Sequence, residues 1–263
     1  MKPISLPYSC GDPAVTLSGF VPGGENKPAI LCLPGGGYQV CAPREGLPVA
    51  ERFAEMGYAA FVLEYSTMYG SKAEPYPVPN GHVRFPEPLR EVALAVKLLR
   101  ERAAQYGLDP HRLALFGASA GGHLAACYAC RCAEVFGDLA PAETLRPDAL
   151  VLLYCASEPE YSAMMLEPMY GHDAPFSWEE KDRWAVKRLV NGSTPPTVLF
   201  HGAGDRTVAP ALSISLFGAL QAAGVESELH VFRGGGHAFG LGADTPAARW
   251  PELADDFLRG VWG

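Results

Sequence analysis

The chain has 263 residues, 48% of them hydrophobic, with 21 basic and 29 acidic side chains and a net charge of −8. That length suits one large α/β domain or two small ones, with enough apolar residues for a substantial core. The acidic balance gives no electrostatic support to nucleic-acid or anionic-membrane binding, and no apolar run approaches a membrane span or a signal-peptide core.

In chain order, residues 1–28 read as an opening β-hairpin or meander, with Pro22, Gly23 and Gly24 marking a turn. Residues 29–33 are a continuous apolar run, the pattern of a strand covered on both faces. The run ends in Pro34, three glycines (Gly35, Gly36 and Gly37) and Tyr38. Glycine carries the largest backbone entropy cost, so three in a row continue no element; they leave backbone N–H groups free to point at something. A helix is predicted over 44–56, with Leu47, Ala50, Phe53, Ala54 and Met56 on its apolar face, followed by a buried strand over 59–65. A proline-rich loop (Pro75, Pro77, Pro79) leads to a long helix opened by Pro86 and Pro88, whose Leu89, Val92, Val96, Leu99 and Ala103 keep helical spacing. A short buried strand follows over 112–116, and a run of helix formers over 123–131.

Further buried strands are predicted over 149–154, 197–201 and 228–232, with an amphipathic helix over 210–223 and a terminal helix over 246–259. Residues 156–194 lack a clean period but hold Met164, Met165, Leu166, Met169, Tyr170, Phe176 and Trp178, the look of a lid or pocket wall inserted between core strands. Alternating strands and helices predict a mostly parallel sheet with helices on both faces, and no repeat or linker divides residues 1–263 into more than one domain. The seven cysteines are odd in number and scattered through core segments at Cys32, Cys127 and Cys155, which suits reduced thiols and a cytoplasmic location. Cys127, Cys130 and Cys132 have no second Cys or His pair at ligand spacing, so no metal is expected.

The chemistry centres on residues 117–122, Gly-Ala-Ser-Ala-Gly-Gly, between the predicted strand at 112–116 and the helix formers after it. A serine there, with glycine two places before and two after, is the nucleophile elbow. The turn is so tight that larger neighbours would collide with strand and helix, and Gly117, Ala118, Ala120 and Gly121 are all small. Ser119 then stands at a strand's carboxyl end and a helix's N-terminus. It needs a base, and the base an orienting acid. Loops after parallel strands open on one edge of the sheet, where Asp205, four residues past His201, and His237, five past Phe232, can converge on it. His237 would take the Ser119 proton, and Asp205 would hold its tautomer and stabilise its charge. His123 is too local to the elbow to face the hydroxyl, and His201 and His230 lie in strands or at their ends. The N–H groups of Ala120, Gly36 and Gly37 are the expected oxyanion donors, each worth ~3–4 kcal/mol in the transition state.

These stretches, with residues 33–38, 113–122, 195–205 and 224–237 in that order, carry a resemblance. The chain resembles α/β-hydrolases of the acetyl esterase and acetyl-xylan esterase-like group, near the hormone-sensitive-lipase branch. Pro34 stands where the hormone-sensitive-lipase pattern has His, a variant familiar among the sugar esterases. The resemblance implies the α/β-hydrolase fold and cofactor-free hydrolysis of short-chain esters, often acetyl groups on sugars or xylo-oligosaccharides. Its partner is thus a small-molecule ester; Tyr38 is expected to touch the substrate, and homo-oligomerisation is left open. Two alternatives stay open: an arylformamidase or other amide hydrolase with the same triad, and a non-catalytic member of the fold. For a peptidase of the prolyl-oligopeptidase type the sequence leaves no spare length for a gating propeller.

Overall fold

The computed structural model describes residues 2–12, 14–69, 85–158, 163–170 and 182–263. Eight strands, β1 (Ile4–Ser5), β2 (Thr16–Phe20), β3 (Lys27–Leu33), β4 (Ala59–Glu64), β5 (Leu108–Ala118), β6 (Ala149–Leu153), β7 (Thr197–Gly202) and β8 (Ser227–Phe232), form one sheet. Their order across it is β1-β2-β4-β3-β5-β6-β7-β8. The opening hairpin β1–β2 is antiparallel and β2 runs antiparallel to β4; all other neighbours are parallel. Parallel neighbours need crossovers, and helices supply them. These are α1 (Leu47–Glu55), α2 (Glu87–Glu101), the one-turn α3 (Ala103–Tyr106), α4 (Ala120–Val135) and α5 (Ala142–Leu145). They continue with α6 (Ala163–Tyr170), α7 (Val186–Leu189), α8 (Pro210–Ala222) and, after the last strand, α9 (Trp250–Trp262). Among the described residues no helix is long and apolar enough to cross a membrane.

Alternation along each strand sorts the side chains into two cores. On β3, Ile30 and Cys32 pack with Ala50 and Phe53 of α1 and Trp250 and Leu258 of α9. Leu31 and Leu33 face the other way, among Val92 and Val96 of α2, Leu124 and Tyr128 of α4 and Leu216 of α8. Trp250 is fully buried and stacks on Phe116 with centroids 5.3 Å apart, a pairing worth ~0.5–1.5 kcal/mol beyond its buried area. Its Nε1–H donates to the Gly240 carbonyl at 2.9 Å, tying the last helix to the loop beyond β8.

Some boundaries differ from the sequence reading. The helix expected over 44–56 is a 3-10 turn, Pro43–Glu45, and then α1. Gly46 between them has φ −98° and ψ −110°, so the two cannot be one continuous helix. The shift turns Leu47 outward, 39% exposed, and brings Val49 inward in its place. β5 starts at Leu108 because Leu108 pairs with Lys27 across a register shift in β3. The terminal helix continues past Arg259 to Trp262. All seven cysteines are free. Pro75, Pro77, Pro79, Phe176 and Trp178 lie outside the described residues.

Candidate active site

Ser119 follows β5 and stands at the N-cap position of α4 with φ 51° and ψ −117°, a left-handed conformation that a non-glycine residue holds only at a cost of about 1–3 kcal/mol. The backbone around it enforces this. Its N–H donates to Leu153 O at 2.9 Å, and its own carbonyl accepts from Ala156 N at 3.1 Å. A Cβ on Gly117 would fall 2.3 Å from Gly121 O, and one on Gly121 would fall 2.0 Å from Leu33 O. The elbow's small residues are therefore a packing requirement as well as a turn requirement.

The C-terminal edge of the sheet gathers three predicted residues. The Ser119 hydroxyl lies 2.8 Å from His237 Nε2, and His237 Nδ1 lies 2.7 Å from Asp205 Oδ2. Oδ1 of Asp205 accepts two backbone N–H bonds, from Thr207 and Val208, both at 2.9 Å. Burial pushes the Asp205 carboxyl up, but bonds from His201, His237 and those two amides outweigh it and hold the group well below the usual carboxylate range. Asp205 is thus an anion of fixed orientation, as an imidazole-orienting group must be.

His201 is a partner that sequence reasoning misses. Its ring is fully buried; Nε2 lies 3.0 Å from Val208 O and 3.2 Å from Asp205 Oδ2, and Nδ1 lies 2.7 Å from Ser213 Oγ. A carbonyl only accepts, so Nε2 carries a hydrogen and shares it with the Asp205 carboxylate. The signal was present: a histidine at the end of a central strand, four residues before the acid. It is read from the sequence only as a rival base.

The loop after β3 brings Gly36 and Gly37 to the same edge. Gly36 has φ 122°, and a Cβ there would fall 2.0 Å from Val40 O. Among the described residues the N–H groups of Gly36, Gly37 and Ala120 donate to no backbone or side-chain acceptor. Beside Ser119 lies a cavity of about 160 Å³, walled by Gly36, Gly37, Met165, Thr207, Val208 and Ala238 among others. Met165, in α6, comes from the irregular 156–194 segment.

Tyr38 differs from its sequence expectation. Its backbone has φ 60°, and its ring turns into the core, 3% exposed, edge-on to Tyr65, Phe85 and His123. Its hydroxyl donates to His123 Nδ1 at 2.9 Å, so the structure places the side chain behind the glycine loop rather than at the cavity. His123 Nε2 in turn donates to Trp184 O at 2.8 Å.

Burial pushes the His123 imidazole down to about 4, against the Trp184 carbonyl, which pulls it up. Below the ordinary value of 6.5, the unfolded chain takes a proton that the folded chain refuses. Stability from this residue is complete above that value and is lost as pH falls toward the folded one, by roughly 2 kcal/mol at about pH 5. His123→Gln can keep both hydrogen bonds without titrating. Urea midpoints near neutrality and at about pH 5 should therefore fall less in the variant than in the parent. Equal falls would contradict a buried neutral imidazole.

A family model described as the prolyl oligopeptidase family matches residues 89–262, and a second, BD-FAE, matches residues 21–137. Endo-1,4-beta-xylanase B of Butyrivibrio fibrisolvens is 26% identical over 232 residues, which cover 85% of this chain and 34% of that protein. Acetylxylan esterase of Xylanibacter ruminicola is 24% identical over 254 residues, covering 92% of this chain and 46% of that one. The chain thus spans between a third and a half of the length of these curated relatives. Among solved structures, an acetyl ester-xyloside bifunctional hydrolase from Caldicellulosiruptor lactoaceticus aligns with a TM-score of 0.80 at 28% identity, over 97% of this chain and 92% of that chain.

Proposed function

Given that the chain belongs to the prolyl oligopeptidase family and has the α/β-hydrolase fold, we propose that it is a serine carboxylesterase for short-chain, chiefly acetyl, esters of sugars or xylo-oligosaccharides. The observation that carries this reading is the Ser119–His237–Asp205 chain of hydrogen bonds, 2.8 and 2.7 Å long, on a strained elbow that shares a cavity with Gly36 and Gly37, whose N–H groups donate to no acceptor among the described residues. In the proposed reaction Ser119 Oγ attacks the ester carbonyl carbon while His237 Nε2 takes its proton. The Gly36, Gly37 and Ala120 N–H groups hold the oxyanion. The C–O bond to the alcohol breaks, and the alcohol leaves with the proton from His237. A water, deprotonated by the same imidazole, then attacks the acyl-enzyme; the bond to Ser119 Oγ breaks, His237 returns the proton to that oxygen, and the carboxylic acid leaves.

The preference for acetyl is supported by the small cavity, with Met165 and Val208 on its wall. The preference for sugar esters is supported by the names of the xylan-related relatives and by the polar Thr207 and Arg44 along the same wall. Esters over amides is supported by the esterases among the relatives, although an amide hydrolase would use the same three residues. Across p-nitrophenyl esters from acetate to octanoate, kcat/KM should fall by about tenfold or more, as the loss of fit in a small cavity requires. Acetate release from acetylated xylo-oligosaccharides should exceed cleavage of a matched p-nitroanilide. A flat or rising chain-length profile would contradict the acetyl assignment, and faster anilide cleavage would favour the amide reading.

A further inference from the structure

Glu45 closes the 3-10 turn before α1 and is 1% exposed, on the wall of the cavity beside Ser119. A buried carboxylate is costly unless it is bonded, and this one is bonded on both oxygens. Oε2 accepts from Gly35 N at 2.8 Å, and Oε1 accepts from Tyr154 OH at 2.7 Å. Tyr154 stands just past the end of β6 with φ 36°, its ring 4.9 Å from that of His237. Its hydroxyl oxygen in turn accepts from Gly240 N at 3.1 Å, in the loop that carries His237. A second strand of the same tie runs outside it, where Arg44 Nη1 donates to Ala238 O at 3.3 Å.

We infer that Glu45 is a positioning residue of the proposed esterase reaction: through Gly35 on one side and Tyr154 and Gly240 on the other, it sets the loop holding the Gly36 and Gly37 N–H groups in register with the loop holding His237. The donors and the base must act on the same carbonyl group, and they come from loops after β3 and β8, far apart in the sheet order. The chemistry of the link selects glutamate. Both neighbours donate, and only a carboxylate offers two acceptors and no donor. Glutamine would turn an NH₂ onto one of them, and aspartate would fall one methylene short. Burial holds the Glu45 carboxyl above its ordinary value, against the lowering pull of the Tyr154 and Gly35 bonds and of the charges of His237 and Arg44.

The inference rests on the esterase reading, so wild type and Ser119→Ala are assayed beside Glu45→Gln, Tyr154→Phe and the double variant. The substrate is p-nitrophenyl acetate, and melting temperatures are recorded for all five proteins. Each single variant should lose about 10- to 100-fold in kcat, the scale of a misplacement of about 1 Å, with KM changed by less than about threefold. The double variant should match the worse single one, because both changes cut the same link. If Glu45→Gln does not fold, Tyr154→Phe alone decides by the same thresholds. Singles within about twofold of wild type in kcat would overturn the inference, even with lowered melting temperatures, since a purely structural role moves only stability. In that case an active wild type and a dead Ser119→Ala leave the esterase reading standing. An inactive wild type overturns the reading, and the inference with it.

Discussion

Ser119→Ala is expected to lower kcat/KM for p-nitrophenyl acetate by about 10⁴-fold or more, the scale of removing a triad nucleophile. The reason is local. Ser119 Oγ is the hydroxyl that lies against His237 Nε2, at 2.8 Å. Alanine fits the elbow, where the serine side chain makes no capping bond to α4, so the fold should survive. The proposed oxyanion donors remain in the variant, and the residual rate should be what they and binding alone supply. Measured melting temperatures within a few degrees of the parent would separate lost chemistry from lost structure. Retention of more than about a tenth of the activity would mean that another group attacks the ester.

Asp205→Asn should cost about 10⁴-fold in kcat with little change in KM, through the imidazole's tautomer. Two amides, Thr207 N and Val208 N, hold Oδ1, so the asparagine carbonyl takes that position. Its NH₂ then occupies the place of Oδ2, facing His237 Nδ1. An amide NH₂ donates, so Nδ1 must accept and the ring hydrogen moves to Nε2, where it points at Ser119 as a donor. A base is thereby turned into an acid at the wrong step. The same NH₂ also meets the His201 Nε2–H, so some stability is lost as well. A loss smaller than about tenfold in kcat would contradict the orienting role.

The proposed catalytic constellation is legible in the sequence because each of its parts leaves a local mark. Gly117 and Gly121 are forced by contacts under 2.5 Å with neighbouring backbone, so the elbow writes itself into composition. Asp205 and His237 are proposed from strand ends, because a parallel sheet opens its loops on one edge. Tyr38 reads differently, since a residue beside a glycine loop has two sides to turn to and only the packed core shows that His123 and Tyr65 claim the ring. Glu45 is illegible for a related reason. In sequence it sits in a stretch patterned like an amphipathic helix, where a glutamate belongs to the solvent face. Only the break at Gly46 and the arrival of Tyr154 from β6 bury it. His201 leaves a strand-end signal, but its contact with Asp205 depends on the turn between them folding back.

The central claim, that Ser119 is the nucleophile, is tested most directly by covalent labelling. The protein is incubated with a p-nitrophenyl phosphonate, and the modified residue is located by mass spectrometry after digestion. One phosphonyl group per chain, on Ser119, formed as esterase activity disappears and absent from Ser119→Ala, is the predicted result. Inactivation with the label on another residue, or full activity with Ser119 fully labelled, would contradict it.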